Sequence, residues 1–289
     1  MFIANVDRLK IIYAGSYSGL CYHTDGASHT SINDTSVMAG LGLVVLDPIT
    51  PLHTRRLMEW SFDPSLATSV YFRLRRTPLP EVAVFDDFLP ANDKDFSPAA
   101  PIVIKAPVAS PAKKVGVVGP AWTRGEIEPP AGSKDMGSWQ ASVYTEEQQK
   151  RLHVDENGSR TAGGANVCFV VMGTVSLFLA LECVKSSKVF ENACISVVSA
   201  LNVPLAPSDV SAWRSLLSSH STLVCIEDDS GALYRQVCSM CVQHLASAPP
   251  KVLSKCIASS GPSCRTFADC LRYHAFTVAD VQSLYESSS

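Results

Sequence analysis

Short apolar runs alternate with helix-like stretches at both ends of this chain, and few folds accommodate that pattern. Before residue 86 the predicted strands are Leu9 to Ala14, Leu43 to Leu46 and Ser69 to Leu74, with helices at Ser31 to Met38 and Pro51 to Trp60 between them. Beyond residue 163 the predicted strands are Cys168 to Met172, Cys194 to Val198, Thr222 to Ile226 and Lys251 to Cys256. Helices at Val175 to Lys185, Ser208 to Ser218 and Tyr234 to Leu245 separate these, and one at Thr277 to Tyr285 follows. Strands alternating with helices imply a parallel or mixed sheet covered on both faces. Ser208 reads as the cap of its helix, with Asp209 at the positive end of the dipole. Thr277 and Asp280 are spaced as a capping box. The expected class is α/β, with one sheet on each side of a break.

The break is residues 86–163. Pro90, Pro98, Pro101, Pro107, Pro111, Pro120, Pro129 and Pro130 punctuate it. Proline fixes its own φ and has no N–H to donate, so this stretch cannot build a sheet interior. It reads as a semi-extended linker or insertion with one helical piece, Thr145 to Leu152. Asp155-Glu156-Asn157-Gly158 lacks the remaining ligand positions of a calcium loop and reads as a turn. The expected division is 1–85, 86–163 and 164–289.

Apolar residues make up 46% and charged residues 18%, a globular balance, and the net charge of −3 gives no electrostatic case for nucleic acid or an anionic membrane. The uncharged run Val167 to Leu181 falls short of the roughly 20 residues that a spanning helix needs. Its Gly173-Thr174 instead suits a strand, a tight turn and a helix. Ten cysteines without a regular framework, and no signal peptide in the first residues, point to a reducing intracellular compartment, the cytoplasm or an organelle.

Asp25-Gly26-Ala27-Ser28-His29 follows the first strand closely. Open α/β sheets place their ligands at the carboxyl ends of strands, so this loop reads as one wall of an active site. Only about twenty residues precede it, so the facing walls are expected from elsewhere. The plainer reading keeps Asp25-Gly26 as a turn and His29 as a helix cap. Cys238 and Cys241 form a C-x-x-C pair close to His244, but a structural zinc site needs a second pair at comparable spacing. Cys256, Cys264 and Cys270 do not supply one cleanly. Core thiols are the better account.

Gly15-Ser16-Tyr17-Ser18-Gly19 followed by Asp25 to His29 resembles the pyrimidine-binding domain of transketolases. Val44-Val45-Leu46-Asp47-Pro48 is similar to that family's next strand and its closing proline. Val70-Tyr71-Phe72-Arg73-Leu74-Arg75-Arg76 resembles its arginine-bearing strand. Farther on, Ser196 to Leu205 resembles the strand-to-helix segment of the family's carboxyl-terminal domain. Leu223-Val224-Cys225-Ile226-Glu227-Asp228 is similar to that domain's strand ending in an acidic pair. The match runs over some 200 residues and skips 86–163.

The resemblance implies part of a pyrimidine-binding domain joined to a transketolase carboxyl-terminal domain. It implies thiamine diphosphate and Mg²⁺ as cofactors and ketol transfer between sugar phosphates as the reaction. Asp25 and His29 then contact hydroxyls of the ketose donor, and Arg76 grips the sugar phosphate, a role that suits guanidinium geometry. Strand alternation is expected to turn Arg73 and Arg75 elsewhere, with a solvated surface charge as the plain reading of each. Tyr17 stands where the family usually has a phosphate-binding histidine. Neither the family's Gly-Asp-Gly metal-diphosphate signature nor a glutamate to activate the cofactor is found. The expectation is a transketolase-like chain that is inactive alone and acts, if at all, as a homodimer or with a partner chain supplying those elements. The competing expectation is a non-catalytic structural subunit, a pseudoenzyme, and a piece of a longer gene product is a third.

Overall fold

The computed structural model describes residues 9–75, 82–104, 167–245 and 249–288. Two sheets form. In the first, β1 (Ile12–Gly15), β3 (Val70–Arg73) and β2 (Val44–Leu46) run parallel in that spatial order. The second has the order β4 (Ile102–Ile104), β6 (Cys194–Val197), β5 (Val167–Met172), β8 (Thr222–Glu227), β9 (Lys251–Lys255). Its last four strands are parallel, and β4 joins antiparallel. The α/β class and the alternation read from sequence are those of the structure.

Strands β2, β5 and β8 are buried along their whole length, because helices cover both faces. Val44, Leu46, Phe169 and Val171 enter one apolar cluster, and Val45, Cys168, Val170 and Trp213 enter the other. Strand β1 is only half-buried. Among the described residues it pairs with β3 alone, so its outer edge has no ladder partner there.

The helices are α1 (Asp34–Gly40), α2 (Pro51–Ser61), α3 (Thr174–Ser186), α4 (Pro207–Ser219), α5 (Ala232–His244), α6 (Phe267–Tyr273) and α7 (Val278–Ser287). Thr50 caps α2 by accepting from the His53 amide at 3.1 Å, and Pro51 takes the first helical position, where no N–H is needed. Thr277 caps α7 with Asp280 reciprocating, as its spacing implies. Ser208 is not the cap of α4. Pro207 starts that helix one residue earlier, and the Asp209 carboxylate accepts from the Ala206 amide at 2.8 Å. No helix among the described residues is long and apolar enough to cross a membrane.

Two short strands were not expected. Ile102–Ile104, inside the proline-rich stretch, forms β4 at an edge of the second sheet, where the neighbouring Pro101 removes no ladder bond. Ala200–Leu201 forms β7, which turns back to pair antiparallel with β2 of the first sheet. The residues leading to β4 are anchored as well. Phe85, Leu89 and Phe96 are buried, and Trp213 Nε1 donates to the Ala99 carbonyl at 2.8 Å. The helix expected at Thr145 to Leu152 and the turn at Asp155 to Gly158 lie outside the described residues.

Candidate functional site

The carboxyl ends of β1, β3, β2 and β8 converge. Strand β3 delivers Arg73, which is 1% exposed although it carries a guanidinium. Its Nη1 lies 3.0 Å from Asp47 at the end of β2 and 2.6 Å from Asp228 just beyond β8. Its Nε lies 3.2 Å from Asp34 at the start of α1, and Nη2 donates to the Asp228 carbonyl at 2.8 Å. Asp229 stands 3.6 Å away and accepts from the Thr35 amide and the Ser36 hydroxyl. Arg75 Nη2 meets the same Asp47 and Asp228 oxygens at 3.0 and 3.1 Å. Both arginines therefore point inward, and the surface-charge reading of them is overturned. They share a strand face, being two residues apart.

Four carboxylates against two guanidiniums in a buried site leave an excess of negative charge. Burial pushes the Asp47 and Asp229 carboxyls up in spite of the arginines. For Asp34 burial acts in the same direction, but Arg73 and the hydrogen bonds from Arg73 and Tyr71 outweigh it and hold the carboxyl low. Glu227, at the end of β8, is buried and accepts from the Leu233 and Tyr234 amides at the start of α5, at 2.9 and 3.0 Å. Burial lifts it to about 7 against those two bonds. These donors do not fit a magnesium diphosphate. The carboxylates are already engaged by arginine or backbone amides, and a diphosphate beside them would add charge of the sign already in excess.

The Asp25 to His29 loop sits at the outer rim of this region. Asp25 and His29 are exposed, and a single 3-10 turn, Gly26–Ser28, lies between them. His29 closes that turn, its amide donating to the Gly26 carbonyl at 3.0 Å, and its Nδ1 is 2.9 Å from the Ser28 hydroxyl. Tyr17 and Tyr22 stack edge to face with ring centres 4.7 Å apart, and the His29 ring lies 6.3 and 6.1 Å from them. Tyr17 holds φ at +65°, a left-handed conformation that side chains other than glycine rarely adopt, and such strain gathers at binding sites. The loop thus presents one carboxylate and one imidazole to solvent, with two half-buried tyrosines beside them. Together they can hydrogen-bond a polyhydroxylated ligand.

The loop is held from the other end of the chain. The Cys264 amide donates to the His23 carbonyl at 2.8 Å. Gly26 has φ +65°, and a Cβ there would stand 2.5 Å from the Ser263 amide nitrogen. Only glycine fits.

Of the residues singled out from sequence, Asp25 and His29 share one rim, and Arg76 lies outside the described residues. The C-x-x-C pair lies on α5 with Cys241 buried, and among the described residues neither cysteine joins a metal-ligating cluster. Sequence reasoning missed the Arg73–Asp34–Asp47–Asp228–Asp229 network. Its visible signal was an arginine inside an otherwise apolar strand.

No protein-family model and no curated protein matches the chain. Solved structures do. A split-gene transketolase described as an inactive β4 tetramer superposes with TM-score 0.58 at 18% identity, over 99% of this chain and 73% of that one. Transketolase from Campylobacter jejuni subsp. jejuni NCTC 11168 gives 0.55 at 12% identity, and that from Leishmania mexicana 0.56 at 10%. Each is matched over 99% of this chain. The chain spans 33% and 31% of those two proteins, about a third of their length. The fold of this chain is that of the carboxyl-terminal domains of transketolases.

Proposed function

We propose that the chain is a transketolase-like subunit that serves ketol transfer between sugar phosphates only when a second chain completes the site. The observation that carries this reading is the likeness over nearly the whole chain to a split-gene transketolase described as an inactive tetramer. The edge of β1, unpaired among the described residues, and the strained Tyr17 beside the exposed Asp25 and His29 support it. In this reading Asp25 and His29 bind ketose hydroxyls, and Arg76 binds the sugar phosphate. The partner, a second copy or a different chain, supplies the domain that holds thiamine diphosphate and Mg²⁺ together with the activating glutamate. Thiamine diphosphate supplies the carbanion chemistry when bound there. Residues 1–85 act as a partial pyrimidine-binding domain and 164–289 as the carboxyl-terminal domain, joined by 86–163, and the setting is the cytoplasm.

The test is turnover of xylulose 5-phosphate and ribose 5-phosphate with thiamine diphosphate and Mg²⁺. The isolated chain is expected to be inert, and addition of its native partner to restore turnover. Activity of the isolated chain would overturn the partner requirement.

A non-catalytic structural role is the second reading. Tyr17, at the position where the family usually has a phosphate-binding histidine, favours it, as does the excess of buried carboxylates beside the site. Affinity purification of the native protein separates the two. Co-elution with a thiamine-diphosphate-binding chain supports the enzyme, and co-elution with an unrelated assembly supports the scaffold.

A further inference from the structure

Away from the strand ends just described, three soft donors meet at the opposite, amino-terminal end of the second sheet. Cys168 of β5 and Cys194 of β6 are register partners on adjacent parallel strands. Their side chains lie on the face covered by α4, among Trp213, Leu216 and Leu217. His220 caps the carboxyl end of that helix. The two sulfurs and an imidazole nitrogen all lie within 4.8 Å of one another. Cys168 is buried, while Cys194 and His220 are half-buried, so the cluster has a way in from solvent.

We propose that Cys168, Cys194 and His220 form a zinc site with three protein ligands and one position open to water. Tetrahedral Zn²⁺ with sulfur at about 2.3 Å and nitrogen at about 2.0 Å sets its ligand atoms roughly 3.5–3.8 Å apart. The observed envelope reaches that spacing through small side-chain rotations. The histidine is oriented for ligation. Its Nδ1 lies 2.9 Å from the Leu216 carbonyl, which can only accept, so Nδ1 carries the proton and Nε2 is the nitrogen with a lone pair to ligate. A ring N–H donated to a backbone carbonyl is how ligating histidines are held. Besides carbonyl contacts of 3.5 Å from Cys168 to Phe169 and 3.9 Å from Cys194 to Ile195, Cys194 hydrogen-bonds with both Cys168 and His220, so the three side chains already face one another. Two thiolates and a neutral imidazole cancel the charge of Zn²⁺, which suits a half-buried site. The thiol protons leave to solvent as the metal binds. Cross-strand cysteines also lie within disulfide range, about 4.8 Å between strands, so oxidation is the competing fate.

The experiment uses the full chain, purified under reductant, stripped with chelator, loaded with one equivalent of zinc sulfate and desalted. Elemental analysis is expected to find a single zinc per chain, and cobalt(II) in its place to give a thiolate charge-transfer band. Cys194→Ser and His220→Gln should each weaken zinc binding by about a hundredfold or more, since loss of an outer-shell partner alone costs about 10–100-fold. Cys238→Ser, in the C-x-x-C pair on α5, should leave it unchanged. Circular dichroism confirms that each variant is folded, and the half-buried His220 provides a ligand test that leaves the strands intact. The proposal is overturned if no zinc is retained, if retention survives both ligand variants, or if Cys238→Ser abolishes it. It is equally overturned if removing reductant yields a Cys168–Cys194 disulfide in a chain that never takes up metal.

Discussion

Arg73 and Asp228 meet at 2.6 Å across 155 positions of sequence, tying the end of β3 in one sheet to the end of β8 in the other. Arg73 is also shared with Asp34 and Asp47, so a single side chain satisfies carboxylates from three elements. Removing one partner of a buried ion pair strands the others without solvent, which costs about 3–5 kcal/mol. Arg73→Met is therefore expected to lower stability by that amount, read from the urea midpoint. Arg73→Lys should recover only part of it, because an ammonium cannot span Asp34, Asp47 and Asp228 at once. A midpoint unmoved by Arg73→Met would show that the network does not hold the sheets together.

Gly26 permits the candidate loop to pass against Ser263. Gly26→Ala places a methyl against backbone that cannot swing aside and forces an unfavourable φ, at a cost of about 1–3 kcal/mol. Ser263→Gly should not rescue it, since the clash is with the amide nitrogen. Thermal denaturation of the single and double variants checks both statements.

His53 on α2 is fully buried, accepts from the Ile49 amide at 3.1 Å, and packs against Phe85 and Phe96. Burial, with Arg56 adding to it, lowers its pKa to about 3 from 6.5. The unfolded chain takes up a proton below 6.5 that the folded chain refuses. Its contribution to stability is therefore complete above 6.5 and is lost as pH falls toward 3. The slope over that window is about 1.4 kcal/mol per pH unit. The raised carboxyls of Asp47, Asp229 and Glu227 act in the opposite sense, so the difference between the parent chain and His53→Gln isolates the histidine. That difference should shrink steadily in urea titrations between about pH 7 and about pH 4. A difference constant across the range would refute the assignment.

Asp25 and His29 are exposed, so their replacement should spare the fold. Asp25→Asn and His29→Gln are each expected to leave stability within about 0.5 kcal/mol. In a complex with its partner chain, each should raise KM for xylulose 5-phosphate about 10–100-fold, the range for losing one charge-assisted hydrogen bond. Steady-state kinetics alongside melting curves reads both quantities. Unchanged kinetics in a reconstituted, active complex would remove the pair from the substrate site.

Much of the fold was legible because buried parallel strands are written as local apolar runs, and each of the seven longer runs became a strand. Strands β4 and β7 were not, since two or three residues carry no periodicity and Ile102–Ile104 is set among prolines. Ser208 was mistaken for a cap because the proline before it, the true first residue of α4, marks the boundary better than a hydroxyl does. The rim loop was visible through Asp25-Gly26 and His29. The arginine network was not, because Arg73 finds Asp47 and Asp228 at separations of 26 and 155 residues, and pairing at that range leaves no mark in a local pattern. The Cys168–Cys194–His220 cluster at the base of the second sheet escaped notice for the same reason, although Cys168 and Cys194 open two of the strands read from sequence.

The placement of β4 and β7 amounts to a mutual loan. The segment preceding residue 105 gives an edge strand to the second sheet, and the segment following residue 166 gives one to the first. Neither part can leave without exposing an unpaired ladder in the other. The peptide chain joining them is thus spared the task of keeping them together, and two polypeptides divided between residues 104 and 167 would still carry the matching edges needed to find each other.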